Sequence, residues 1–513
     1  MSIAPETPRG AARPDAPGAT VASGATDALL AAYTSTVLGF RLGGAGQEKP
    51  ADDVPGLPRP DADALQQAVR QAADKAVRLA LRSGRPHLVL LGTGDGTLPE
   101  AVCAALNAAA NAAGRAASAT VPRLTLCDLA PDRMRTALAT GRLKDFTAPT
   151  PAPDAPRLLA DTSPWALLLL LRGTGVTPET ATLFPNPFLP EAETEALHHW
   201  RRLFAGCVPV TLPHANRDAR QHPGEAAPEG ADRPPHLADP ANPTDLACMA
   251  DLADQADLGV GAILHPAEPN LPAFFAQVPG WVREMAVVWD GAPPDFDPIP
   301  LCPVPLRQSV RTLGGNFSAQ RNAMLGLLST QWCLYLDADE RLEPHAWALL
   351  PRLMAVPGAG AWLLPRATAY PDADHLRVGY GLWPDVQLRL FRRMPGVCFR
   401  GAVHERVVGV HGHTCLLGDV WIDHLSWTAK DRDALAERLR VFNAAGAGQA
   451  TPSPSGGLHR LSTEYPALPR SLFAHAGLVS GDNARPAEDS AERRDTEPDA
   501  HRRHLALRLP LSP

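Results

Sequence analysis

The chain contains no apolar run near the ~20 residues that a membrane-crossing helix requires. Its longest run, Ala166 to Leu171 with its neighbours, falls far short. The opening segment, MSIAPETPRGAARPDAPGAT, lacks the apolar centre of a secretory signal. These absences lead us to expect a cytoplasmic protein with no transmembrane segment, while leaving room for peripheral contact with an inner membrane. Charge is scarce as well. Charged residues make up 20% of the chain and the formal net charge is −7, so no nucleic-acid surface is expected. None of the eight cysteines belongs to a CxxC pair, and most sit in apolar runs, which favours buried thiols over metal or disulfide roles. There is no internal repeat.

Proline and glycine, by contrast, are abundant, at 54 and 41 of 513 residues. Such an excess suggests disordered ends and linkers between folded units, and the length suggests two or three domains. The expected fold class is α/β in two domains. The expected organisation is a disordered region over 1–60, a Rossmann-like domain over 61–213, a linker over 214–246, a second α/β domain over 247–446 and a mostly disordered tail over 447–513. Within that tail, Leu458–Leu478 could fold back.

In the first domain, apolar residues recur at helical spacing over Asp61–Ser83. A short strand, HLVLL, then leads to Gly92-Thr-Gly-Asp-Gly96, an Ala-rich helix to about Ala117, and a strand ending in Asp128. Strand, glycine turn, helix and acid-tipped strand form the opening of a Rossmann-like unit. Gly92, Gly94 and Gly96 would let the backbone approach a ligand, and Asp128 could bind a ribose. The GxGxG spacing suits S-adenosylmethionine better than a dinucleotide, although a purely structural role is the plainer reading. Ala166–Leu171 reads as a buried strand, Glu191–Phe204 as a helix and Gly206–Leu212 as another strand.

In the second domain, strand Leu258–Leu264 precedes a turn bearing Glu268 and a helix to about Val282, and strand Met285–Trp289 ends in Asp290. Ligands bind at the carboxyl ends of such strands. A helix beginning at NFSAQRN, with Ser318 as candidate N-cap, carries Arg321 on its first turn, where it could face a diphosphate. Strand Trp332–Leu336 delivers Asp337-Ala-Asp339-Glu340, a carboxylate pair suited to a hard divalent cation that bridges to phosphate oxygens. Alternation over Val386, Leu388 and Leu390 reads as a strand with Gln387 and Arg389 on its other face. His404-Glu405 follows a short strand, and His424 ends another.

Taken in order, AEPNL, VVWDGAPPD, NFSAQRN, LDADERL, PDVQLRLFRR, GAVHE and IDHLSW resemble the motifs of family 2 glycosyltransferases. They resemble in particular the branch that includes the bacterial lipopolysaccharide-core β-glucosyltransferases, and the likeness covers about residues 257–446. The resemblance implies a GT-A fold and an inverting, metal-dependent transfer from a nucleoside-diphosphate sugar. The acceptor would be a glycan, a lipid-linked sugar or a protein, in cell-envelope or protein glycosylation. It further implies that Glu268 and Asp290 contact the nucleotide and that Arg321 neighbours the diphosphate. Asp337 and Asp339 would hold Mg²⁺ or Mn²⁺, with Asp337 also touching the donor, and Gln387 and Arg389 would line the cleft. Glu405 would be the general base. His404 or His424 would assist the metal or the diphosphate, with a structural hydrogen-bonded histidine as the rival in each case.

Two turns depart from the family pattern. HPAEPNL lacks the usual asparagine–glutamate pair, and VVWDGAPPD lacks the usual serine and threonine. These departures support one alternative, a non-catalytic GT-A-like scaffold or glycan-binding protein; the glycine turn of the first domain supports another, a bifunctional protein whose first domain binds S-adenosylmethionine.

Overall fold

The computed structural model describes residues 18–40, 62–113, 121–146, 155–213, 253–430, 464–479 and 504–510, with scattered positions over 433–440. The expected linker over 214–246 lies outside the described residues.

The first half alternates helix and strand. Helices α1 (Gly18–Gly39) and α2 (Ala62–Ser83) precede β1 (His87–Leu91), α3 (Thr97–Ala113), β2 (Arg123–Asp128) and α4 (Pro131–Ala139). Then come β3 (Arg157–Ala160), α5 (Pro164–Gly173), β4 (Ala181–Pro185), α6 (Glu191–Gly206) and β5 (Val208–Pro209). Strands β3-β2-β1-β4 form a parallel sheet in that order. Leu88, Leu90, Leu124 and Leu126 face α2 and α3, whereas Val89, Leu91 and Cys127 face α1, α5 and α6. Burial on both faces accounts for the nearly continuous apolar text of these strands.

Two expectations fail here. Within the span 1–60, expected to be disordered, residues 18–39 form α1, which buries Leu29, Leu30, Tyr33 and Val37 along one face. Ala166–Leu171 is helical rather than extended. Pro164 opens α5, and the Ser163 side chain accepts a bond from the Ala166 N–H at 3.4 Å. A short, fully apolar run carries no period, so its N-cap decides the matter.

The second half contains β6 (Leu258–Leu264), α7 (Leu271–Ala276), β7 (Glu284–Trp289), β8 (Leu306–Val310), α8 (Phe317–Leu327), β9 (Trp332–Tyr335), β10 (Glu340–Arg341) and α9 (Pro344–Met354). It continues through β11 (Ala359–Thr368), β12 (His375–Arg377), β13 (Asp385–Arg392), β14 (Cys398–Arg400), β15 (Arg406–Val408), β16 (His413–Leu417), β17 (Ile422–His424) and α10 (Ser426–Ala429). The chain closes with β18 (Ala467–Pro469), α11 (Arg470–His475) and β19 (Ala506–Arg508). Asn316, not Ser318, caps α8, its Oδ1 accepting from the Ala319 N–H at 2.9 Å.

The large sheet runs β5-β19-β16-β11-β13-β9-β6-β7-β8, with β17 joining β11 to β10. Strands β9, β6, β7 and β8 are parallel and end together, whereas β13 runs antiparallel to β9. Within the tail expected to be mostly disordered, the described residues 464–479 and 504–510 carry structure. Ala506 and Leu507 are buried in β19, which links β16 to β5, and β18 pairs with β12. The strand read over Gly206–Leu212 shrinks to β5 and belongs to this second sheet. One core runs across the expected domain boundary and unites Leu29, Tyr33, Leu168, Trp200, Trp383, Trp421 and Phe473. Among the described residues, no helix is long and apolar enough to cross a membrane.

Candidate active site

The parallel strands β6, β7 and β9 deliver Glu268, Asp290 and the Asp337–Glu340 turn at one end of the large sheet. Because β13 is antiparallel to β9, with Leu390 opposite Leu334, its first residues extend past the end of β9. That register brings Asp385, Gln387 and Arg389 to the same end.

Arg321, on the first turns of α8, ties the site together. Its Nη2 donates to Asp337 Oδ1 at 2.8 Å and its Nε to Glu405 Oε1 at 2.5 Å. Two carboxylates from distant segments thus share one guanidinium. Arg389 Nη2 donates to Asp337 Oδ2 at 3.1 Å and also bonds to Glu340. The guanidiniums of Arg321 and Arg389 lie 4.7 and 4.6 Å from the Tyr335 ring centroid, within cation–π range. Burial opposes ionisation of Asp337, but Arg389 and Arg321 outweigh it and hold the carboxyl well below its ordinary range. Burial dominates at Glu340 and raises it. Glu340 Oε2 also accepts from the Asp337 N–H at 3.0 Å, bracing the turn.

Asp339 has different partners. Lys430 Nζ lies 3.2 Å from its Oδ2 and 2.7 Å from Glu268 Oε2, and His424 Nε2 lies 3.6 Å from its Oδ1. The Leu425 N–H donates to the Asp339 carbonyl at 2.8 Å, fixing β17 and its successor against the turn. Gln387 reaches the cluster indirectly: its Nε2 donates to Asp385 Oδ1 at 2.6 Å, and Asp385 pairs with Arg366.

Eight of the expected residues are therefore clustered: Glu268, Arg321, Asp337, Asp339, Gln387, Arg389, Glu405 and His424. Asp290 ends the neighbouring strand, where its Oδ1 accepts from the Leu313 N–H at 2.7 Å and so shapes a loop. His404 is exposed, with a left-handed backbone at φ 55°. The sequence reading missed Glu340, Arg366, Asp385 and Lys430. Composition held one clue, since the chain has only four lysines, Lys49, Lys75, Lys144 and Lys430, beside its many arginines.

The carboxylates as placed do not fit a resident divalent ion. Both oxygens of Asp337 accept from guanidiniums, and an ammonium joins Asp339 to Glu268. Among the described residues, no group of three or more His, Cys, Asp or Glu side chains is arranged to hold a metal.

The glycine turn of the first half is closed by the chain itself. A Cβ on Gly92 would lie 2.4 Å from Leu189 Cδ1, and one on Gly94 would lie 2.9 Å from Asn186 Nδ2. A Cβ on Gly96 would meet Arg142 at 2.8 Å. Asp128 is buried, its two oxygens accepting from the Thr93 and Ala130 N–H groups at 2.7 and 2.9 Å. These residues serve packing and turn geometry in the observed arrangement.

No family model matches the chain, and no curated protein sequence matches it. Among solved structures, it is similar to Staphylococcus aureus TarS residues 1–349 in complex with UDP, with 11% identity and a TM-score of 0.23, over 38% of this chain and 67% of that one. A second TarS structure aligns at 10% identity and a TM-score of 0.24, over 38% of this chain and 40% of that one. A further structure of TarS 1–349 gives 10% and 0.23, over 43% and 70% respectively.

Proposed function

We propose that the chain is a glycosyltransferase that moves a sugar from a nucleoside-diphosphate donor to an acceptor hydroxyl with inversion at the anomeric carbon. The acceptor class is a surface glycan, a lipid-linked sugar or a protein. The observation that carries this reading is the bridge from Asp337 through Arg321 to Glu405, which joins the strand-end aspartate turn to the expected base.

In this reading the donor lies across the ends of β6, β7 and β9, with Glu268 and Asp290 toward the nucleotide and Gln387 and Arg389 along the cleft. Glu405 takes the proton from the acceptor hydroxyl as its oxygen attacks the anomeric carbon. The bond to the diphosphate breaks on the opposite face, and the nucleoside diphosphate leaves with the electron pair. The buried arginines supply fixed positive charge near the reacting groups and need no reorganisation as charge develops.

Incubation with a panel of UDP-, GDP- and ADP-sugars tests the reading. One donor should undergo slow hydrolysis and bind measurably. The ion pairs that engage Asp337 and Asp339 also favour a second reading, a non-catalytic scaffold. Absence of binding and of turnover across the whole panel would select it.

A further inference from the structure

We infer that Lys430 is a built-in counter-cation: its ammonium joins Glu268 to Asp339 where that carboxylate pair would otherwise take a divalent ion, so the folded chain binds none there. This goes beyond the proposed sugar transfer and is testable without a donor.

Three features of the geometry carry the inference. The Lys430 side chain is only 8% exposed and Asp339 only 2%, so the contact is built into the fold rather than made by a surface lysine swinging in solvent. The ammonium reaches both acids, at 2.7 and 3.2 Å, and they come from different strand ends. Its position is also fixed by the backbone. β17 pairs with β10, the Leu425 N–H bonds to the Asp339 carbonyl, and α10 then delivers Lys430 back over the turn.

A divalent ion such as Mg²⁺ needs the same oxygen lone pairs at about 2.0–2.1 Å and cannot share them with an ammonium. Asp337 offers no substitute, since Arg321 and Arg389 take both of its oxygens. Removing the ammonium alone would leave two carboxylates beside His424, whose Nδ1 is already matched to Thr368 Oγ1 at 3.0 Å. Such a pair, completed by water, is the kind of site that Mn²⁺ accepts.

The substitution therefore predicts a gain rather than a loss, which misfolding cannot imitate. Mn²⁺ binding to the full chain is measured by electron paramagnetic resonance, with no donor present. Wild type and Lys430→Arg should show no stoichiometric site. Lys430→Met should gain one, at least about tenfold tighter than any wild-type background, and adding Asp339→Asn should abolish it. Two results would overturn the inference: a wild-type Mn²⁺ site that Asp339→Asn removes, or a folded Lys430→Met, judged by circular dichroism, that binds no better than wild type. Neither result depends on whether the chain transfers sugar.

Discussion

At the scale of single residues, buried charge is held by specific partners, and two consequences can be measured. Asp161 is buried, its Oδ2 accepting from the Tyr33 hydroxyl at 2.5 Å and its Oδ1 from the Ser163 N–H at 2.7 Å. Burial pushes its carboxyl from 3.8 up to about 6, against the pull of those hydrogen bonds. The folded chain thus holds this proton more tightly than the unfolded chain. Its contribution to stability is fully present below the unfolded value and is lost as pH rises through about 6. Thermal unfolding across that window should show stability falling with pH for wild type, and Asp161→Asn should remove that share of the slope. Arg321→Met should destabilise the fold by about 3–5 kcal/mol, because it leaves Asp337 and Glu405 without their shared guanidinium; chemical denaturation measures it. The sequence motifs singled out Arg321, Asp337 and Glu405, and the fold brings these three side chains into contact. Arg366, Asp385 and Lys430 were not legible in the sequence, because their pairing depends on the antiparallel register of β13 and the return of β17, which no local pattern records.

Among the elements, the seating of α8 on β6 decides where Arg321 points. A Cβ on Gly261 would lie 2.0 Å from Met324 Sδ and 2.8 Å from its Cε, so the helix rests directly on a side-chain-free stretch of strand. Met324 lies three residues beyond Arg321, and lifting one lifts the other. Gly261→Ala should lower stability by about 1–3 kcal/mol, the usual cost of overpacking, seen as a lower denaturant midpoint with an unchanged slope. Most strands were legible from apolar runs, including β1, β2, β6, β7 and β9. The expectation failed at α5, where a uniformly apolar run left helix and strand indistinguishable. It also failed at α1, where proline- and alanine-rich flanks masked the buried face of Leu29, Tyr33 and Val37.

Over the whole molecule, the two sheets share one core. Trp383 is fully buried, stands 5.8 Å from the Tyr33 ring and 4.9 Å from the Phe473 ring, and so joins α1 to the later half of the chain. Trp383→Ala should cost about 3–5 kcal/mol and reduce amide-exchange protection in both sheets. A loss confined to one sheet would mean that the halves are energetically separate. The domain boundary drawn from composition fell at 214–246, outside the described residues. It missed the return of the chain through β5 and β19, because contacts between remote short strands leave no mark on either segment.

The central claim is that Glu405, held against Asp337 by Arg321, removes the acceptor proton. The most direct test compares sugar transfer and nucleotide binding for wild type and Glu405→Gln with the donor that the panel selects. Transfer should fall at least ~100-fold while nucleotide affinity stays near that of wild type. Transfer at the wild-type rate by Glu405→Gln would contradict the assignment.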